Sequence, residues 1–259
     1  MGKVRNDDPA QLTDFKLLSF DVYSTLIDEH GGLFESLLPL LSKLSDPTPY
    51  TQDRAHTLIE FQAFEWMLQH ENPTLPYPEV LSQAYVLFAK SLSLAVPSAE
   101  EAKTFGSQIG TWTAFPDTVP ALQTLEKYYK LVILSNIDDA SIARTVSGPL
   151  AGVDFDAVYT AQQIGSYKPD LKNFEYLLKG AERELGVRKE DVLHTSQSLT
   201  HECVPAKTMG MSSVWIDRDR QDEKLKSLKE GVNFTWRFET LGEMAEAVEI
   251  AFQDKAFFT

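Results

Sequence analysis

The sequence predicts an α/β protein: a doubly wound parallel sheet with helices on both faces, interrupted after its first strand by an inserted helical block. Three observations predict it. Short apolar runs of strand length end in polar residues, and they alternate with stretches of helical periodicity. Such alternation implies right-handed crossovers and one parallel sheet. From 31 to 112 the alternation stops, leaving helical patterns separated by proline-rich breakers.

Residues 1–14 are polar and read as a loose leader. The first strand spans about 16–22, an apolar run that ends in Phe20 and Asp21. Apolar residues then recur at helical spacing from Phe34 to Leu44, and Asp46-Pro-Thr-Pro-Tyr50 breaks that helix. A long helix follows at 52–70, with Leu58, Phe61, Phe64, Met67 and Leu68 on one face. Beyond the breaker at 72–78, two more helices fall near 78–95 and 98–110. The pattern changes at Phe115-Pro-Asp117, where a helix at 117–128 leads to a buried strand, 130–136. A helix at 138–147, a strand at 155–160, a helix at 171–185 and a strand at 191–196 come next. A helix to Met209, a strand at 213–217, a short edge strand at 234–238 and a terminal helix at 240–253 complete the chain. The expected domains are therefore 1–30 with 113–259 as the core, and 31–112 as a helical cap.

Composition bounds the function. Hydrophobic residues make up 43% of the 259, enough for a sizeable core, and the formal net charge is -14. That balance argues against nucleic acid or an anionic membrane as partner. A single cysteine, Cys203, rules out an internal disulfide framework and fits a reducing compartment. The N-terminus lacks an apolar signal core, and no run approaches the ~20 apolar residues of a membrane span. The expectation is a soluble cytoplasmic protein acting on a small molecule.

Polar residues gather where the predicted strands end: Asp21 to Thr25, Ser135-Asn136, Lys168, and Ser196 to Glu202. In a parallel sheet these ends share one edge, where ligands bind. Taken singly, each has a plainer reading. Asp21 and Ser135-Asn136 suit turn or helix caps. Lys168 suits a solvated loop, and His201-Glu202 a helix start, where a carboxylate favours the dipole. Tyr23 suits simple packing. Together and in order they resemble the haloacid dehalogenase superfamily, which spans phosphatases and dehalogenases. Asp21 with Thr25 looks like its first motif, Ser135-Asn136 its second, Lys168-Pro-Asp170 its third, and Ser196-Gln-Ser-Leu-Thr-His-Glu202 a degenerate fourth. The likeness covers 15–30 and 113–220.

The superfamily's phosphatases carry an acidic residue two positions after the nucleophile and another after strand four that holds magnesium. Tyr23 and Gln197 stand there in this chain. A hard cation prefers anionic oxygen ligands, and Glu202, further on, is the remaining candidate. Asp21-Val-Tyr-Ser-Thr25 is instead similar to the Asp-x-Tyr-x-Thr of the L-2-haloacid dehalogenase branch. That resemblance implies a Rossmann-like core, no metal and no cofactor. It implies that Asp21 attacks the halogen-bearing carbon of a small 2-haloalkanoic acid, forming an ester that water hydrolyses. Lys168 is expected to lower the Asp21 pKa, and Thr25 and Ser135 to hold its oxygens. Asn136 is expected to donate to the substrate or the departing halide, and Glu202, with His201 second, to help the water. Arg54 is the expected halide cradle, with Tyr23, Ser198, Phe64 and Trp66 as further lining. Tyr167 agrees with the branch pattern; Phe174 for tyrosine, Ser196-Gln-Ser198 for Ser-x-Asn and Glu202 for Asp depart from it. A homodimer is also implied. Two other readings stay open: a magnesium-dependent small-molecule phosphatase using Asp21, and a catalytically silent binding protein.

Overall fold

The computed structural model describes residues 10–45, 47–220 and 233–257. Six strands form one sheet: β1 (Leu17–Phe20), β2 (Lys130–Ser135), β3 (Ala157–Thr160), β4 (Val192–Ser196), β5 (Ser212–Ile216) and β6 (Trp236–Phe238). Their order is β3-β2-β1-β4-β5-β6, and every neighbouring pair is parallel. The order runs outward one way from β1 and the other way from β4. It reverses between those two strands, the place where open α/β sheets bind ligands beyond their carboxyl ends. Phe20 pairs with Ile133 on one side and Thr195 on the other, so β1, β2 and β4 end nearly level.

Helices α1 (Glu29–Leu41), α2 (Pro49–Gln52), α3 (Arg54–Glu71), α4 (Tyr77–Ser91) and α5 (Ala99–Ser107) all lie between β1 and β2. After them come α6 (Thr118–Leu125), α7 (Asp139–Ser147), α8 (Ala161–Ile164), α9 (Leu171–Leu185), α10 (Val204–Thr208) and α11 (Leu241–Phe257). Side chains alternate along each strand, and both faces of the sheet are covered. Leu18, Phe20, Leu131, Ile133 and Leu193 join Leu122 of α6 and Met244 of α11 in one core. Leu17, Val132, Leu134 and Val192 join Phe174 and Leu177 of α9 in a second. Each such side chain, fully buried, contributes roughly 1.5–3 kcal/mol.

The helical insertion has aromatic packing of its own. Phe61 of α3 meets Phe88 of α4 at 5.6 Å and Phe105 of α5 at 5.5 Å between ring centroids. Its two ends leave the sheet side by side. Ile27 bridges Ala114 in antiparallel fashion, the Asp28 N–H donates to the Thr113 carbonyl (2.8 Å), and the Phe115 N–H donates to the Leu26 carbonyl (3.1 Å).

Three expectations shift. Residues 1–9 of the expected leader lie outside the described residues, but Leu12–Asp14 forms a helical turn rather than a loose tail. Leu12 is buried, and the Tyr129 hydroxyl donates to its carbonyl at 3.0 Å. Helix α1 begins earlier than predicted because the Asp28 carboxylate caps it, accepting from the Gly31 N–H at 2.8 Å. The helix expected after β4 opens as a π-helical turn, Leu199–Cys203, before continuing as α10. Among the described residues no helix is long and apolar enough to cross a membrane.

Candidate active site

Asp21 stands one residue beyond β1, its N–H still in the ladder to the Thr195 carbonyl (3.1 Å). A tight loop follows. The Thr25, Leu26 and Ile27 N–H groups all turn back to the Val22 carbonyl, with Ser24 in the left-handed region at φ 67°. That loop returns Thr25 over Asp21. The Thr25 hydroxyl donates to Asp21 Oδ2 at 2.7 Å and accepts from the Gln197 N–H at 2.9 Å. So Gln197 serves this site through its backbone, while its side-chain amide donates to Asp219 at 3.3 Å.

Lys168 reaches the same carboxylate from the loop between α8 and α9. Asn136 fixes that loop: its Oδ1 accepts from the Lys168 N–H (2.7 Å) and its Nδ2 donates to the Lys168 carbonyl (3.1 Å). The Lys168 ammonium donates to Asp21 Oδ1 (2.9 Å), the Leu134 carbonyl (2.8 Å) and Glu202 Oε1 (2.5 Å). An ammonium has three protons, and these partners account for them. Burial pushes the lysine down, but Asp21 and Glu202 more than compensate and hold it above its usual range.

Glu202 sits on the π-helical turn, which the Ser198 hydroxyl caps by accepting from the His201 N–H at 3.2 Å. Its other oxygen, Oε2, lies 2.5 Å from His194 Nε2, and His194 Nδ1 lies 2.8 Å from the Ser19 hydroxyl. Ser19 and His194 are register partners on the buried face shared with Phe174, whose ring meets the imidazole edge-on at 5.3 Å. The result is one continuous buried chain: Ser19, His194, Glu202, Lys168, Asp21.

These contacts revise several expected roles. Burial raises the Asp21 carboxyl above its ordinary range, with Glu202 adding to the rise; Lys168 and Thr25 oppose it without cancelling it. The expected lowering by Lys168 is therefore outweighed by desolvation. Burial also pushes Glu202 up, but Lys168 and His194 hold it below the usual carboxylate range. Both its oxygens accept hydrogen bonds, which makes it a weak base for water. The Ser135 hydroxyl makes no bond to Asp21; it is 2% exposed, has no protein partner and lines the cavity. The Asn136 amide is engaged by the Lys168 backbone, so its place is to position that loop. Tyr23 shares a hydrogen bond with the Thr145 hydroxyl at 2.9 Å, and burial pushes its pKa up. Arg54 is exposed, stacks on Phe34 at 5.5 Å and is not among the lining residues. Trp66 lines the rim, stacked on His70, whereas Phe64 packs against Phe88. Tyr167 donates to the Leu75 carbonyl in the turn between α3 and α4.

Asp21, Ser135, Lys168, Ser198, His201 and Glu202 border a cavity of about 320 Å³. Its opposite wall comes from the insertion and includes Glu29, His30, Gln62, Glu65 and Tyr77, which sequence reasoning missed. The signal for Glu65 was an acid on the buried stripe of α3, in step with Leu58, Phe61 and Leu68. For His194 it was a polar residue on the same strand face as Ser19.

A cation at the phosphatase metal position would need anionic oxygens around Asp21. Both Asp21 oxygens are taken by Thr25 and Lys168, the ammonium lies between Asp21 and Glu202, and Gln197 is turned to Asp219. Among the described residues no group of three or more His, Cys, Asp or Glu is arranged to hold a metal. Asp21 and Glu202, both already paired to the one ammonium, make a poor site for a hard divalent cation.

Comparison with known proteins agrees with the geometry. An (S)-2-haloacid dehalogenase of Pseudomonas sp. (strain YL) is 23% identical over 207 residues, covering 78% of this chain and 83% of that protein. The defluorinating L-2-haloacid dehalogenase Rha0230 superposes with a TM-score of 0.73 at 14% identity, over 91% of this chain and 95% of that one. The L-2-haloacid dehalogenase of Xanthobacter autotrophicus with chloropropionic acid covalently bound gives 0.71 at 19% identity, over 91% and 98%. The structural likenesses establish the fold. The model of the haloacid dehalogenase-like hydrolase family matches residues 15–200, and the chain belongs to that family.

Proposed function

We propose that the protein is a metal-independent hydrolase that breaks the carbon–halogen bond of a small 2-halogenated substrate through an Asp21 ester. Of the substrate classes, 2-haloalkanoic acids are the one named by the relatives. One observation carries the reading. Two residues after the nucleophile, where a leaving-group acid would stand, a phenol is bonded to Thr145 and holds its proton more tightly than usual. A leaving group here departs unprotonated, which suits halide and not an alkoxide.

In the first step one Asp21 oxygen attacks carbon, and the halide leaves with the bonding pair. Lys168 and the Thr25 hydroxyl orient the attacking carboxylate. Water then adds at the Asp21 carbonyl carbon, and the same two donors stabilise the oxyanion that develops. Collapse frees the hydroxy product and restores the carboxylate; His201, in the cavity lining, is the group placed to take up the proton. The covalent adduct named for the Xanthobacter autotrophicus enzyme supports such an ester.

Halide release from L-2-chloropropionate, L-2-bromopropionate or their neutral analogues is expected to be unchanged in EDTA. Release that EDTA abolishes and magnesium restores would sink the reading, and phosphate release from phosphomonoesters in magnesium would favour a phosphatase. Arg54→Ala is expected to leave the kinetics within about twofold, because its cation–π contact is worth only about 0.5–1 kcal/mol at an exposed site. A large rise in KM for that variant would return Arg54 to the site.

A further inference from the structure

The sheet carries a buried polar pair behind the active site that packing does not call for. Ser19 and His194 are both fully buried and are register partners on β1 and β4. The layer they share is built on Leu17, Val132, Leu134 and Val192 of the sheet and Phe174 of α9. Two apolar side chains would fill the same space with no polar atom to satisfy, and a buried polar network is costly unless every member is paired. Here both are paired. The Ser19 hydroxyl lies 2.8 Å from His194 Nδ1, and His194 Nε2 lies 2.5 Å from Glu202 Oε2. Ser19 precedes Asp21 by two residues, so the strand sends both to one face.

The proton positions follow from the partners. Lys168 and His194 hold Glu202 below the usual carboxylate range, so its oxygens only accept. The proton between imidazole and carboxylate therefore belongs to Nε2. Nδ1 of the neutral ring then accepts from the Ser19 hydroxyl, which fixes that tautomer. Phe174 packs edge-on against the ring, 5.3 Å between centroids. His194 stands on a strand paired on both sides, whereas Glu202 stands on a π-helical turn. The imidazole is thus the rigid member of the pair. With Oε2 tied to it, Glu202 presents Oε1 to the Lys168 ammonium at 2.5 Å, and the same ammonium donates to Asp21 Oδ1 at 2.9 Å.

We infer that His194 is a positioning residue of the reaction: through Glu202 it sets where the Lys168 ammonium stands, and so how the Asp21 carboxylate is aimed at carbon. Ser19 supports it by fixing the tautomer. His194 is not among the residues that line the cavity. Its contribution therefore falls on the reacting geometry and not on substrate binding. The inference rests on the Asp21 ester reading for its kinetics, so one arm of the test needs no turnover.

In the kinetic arm, His194→Phe keeps the volume and removes the donor to Glu202. It is expected to lower kcat for halide release from L-2-chloropropionate by about tenfold to a hundredfold, with KM within about twofold. His194→Gln, which returns an N–H donor near the Nε2 position, is expected to recover most of that loss. In a Glu202→Gln background, His194→Phe is expected to cost much less than it does alone, because residues that act through one another are not additive. A loss common to both His194 variants, equal in both backgrounds, or carried by KM would overturn the inference. The second arm is NMR of the whole protein with isotope-labelled histidine, His194→Gln identifying the signal. The proton is expected on Nε2, in a downfield resonance. Asp21→Asn is expected to move that resonance upfield, because Lys168, released from one anion, draws harder on Glu202 and weakens its pull on the imidazole proton. A proton on Nδ1 in place of Nε2, or a resonance blind to Asp21→Asn, would overturn the inference. If the resonance responds but no halide is ever released, only the ester reading falls.

Discussion

Asp21→Asn is expected to abolish turnover, by roughly 10⁴-fold or more, while the protein stays at least as stable as the wild type. The two halves of this expectation come from the same burial. Asparagine keeps the shape of the side chain but has no anionic oxygen to attack carbon, so the first covalent step is lost. In the wild type, desolvation lifts the Asp21 carboxyl above its ordinary range. The folded chain therefore holds that proton more tightly than the unfolded chain does. By linkage, this group's contribution to stability falls as pH rises through the shifted range. Removing the charge removes that cost near neutrality, and Lys168 keeps Glu202 and the Leu134 carbonyl as partners. Halide release and thermal melting on the same preparation check both halves. Turnover that survived in the variant would move the nucleophile elsewhere. Loss of both activity and fold would make Asp21 a structural residue.

Much of the carboxyl-edge half of the site was legible in the sequence, and the insertion half was not. Asp21, Ser135 and Asn136 close runs of apolar residues, and a parallel sheet carries such run ends to one edge whatever the details, whereas Lys168 lies further on, beyond the short helix after β3. The run end therefore located the first three. Their contacts were less legible, because which hydroxyl meets which oxygen depends on backbone turns. The loop from Val22 to Ile27 sends Thr25 to Asp21 and leaves Ser135 to the cavity. In the insertion, helical periodicity located α3 but gave its face only to within about a third of a turn. Phe64 and Met67 pack against the core as expected, half-buried, but the same stripe also buries Glu65 between Phe61 and Leu68, which apolar spacing does not mark. A buried acid goes against the usual preference, and such local violations are where function is expected. Arg54 shows the converse. A cation at the right place in the chain was taken for a ligand, although the first turn of a helix can point several ways, and here it points to Phe34.

Lys168→Met should be the most destabilising change at the site, costing about 3–5 kcal/mol, with activity lower by roughly 10³-fold. The ammonium is 3% exposed and stands between two carboxylates. Methionine fills the volume but leaves Asp21 and Glu202 as buried like charges and the Leu134 carbonyl without its donor. The pH dependence separates this cause from simple loss of packing. In the wild type Glu202 is held below its ordinary range, so its stabilising contribution is present above the unfolded carboxylate pKa and lost as pH falls through the folded one. Lys168 is held above its range, so its contribution is present below the unfolded lysine pKa and lost as pH rises through the folded one. Between those limits the wild type has both. Without the ammonium, Glu202 loses its main countercharge and binds a proton more readily, as does Asp21. Acid then relieves the variant, because one protonated carboxyl can donate to the other. The stability gap between wild type and Lys168→Met, measured by urea denaturation, is expected to be widest at about pH 8 and to narrow at about pH 5. Adding Glu202→Gln to the variant should recover a large part of the gap at the higher pH, since it removes one of the two stranded charges. A gap equal at both pH values, and untouched by the second substitution, would mean that Lys168 matters for its bulk and not for its charge.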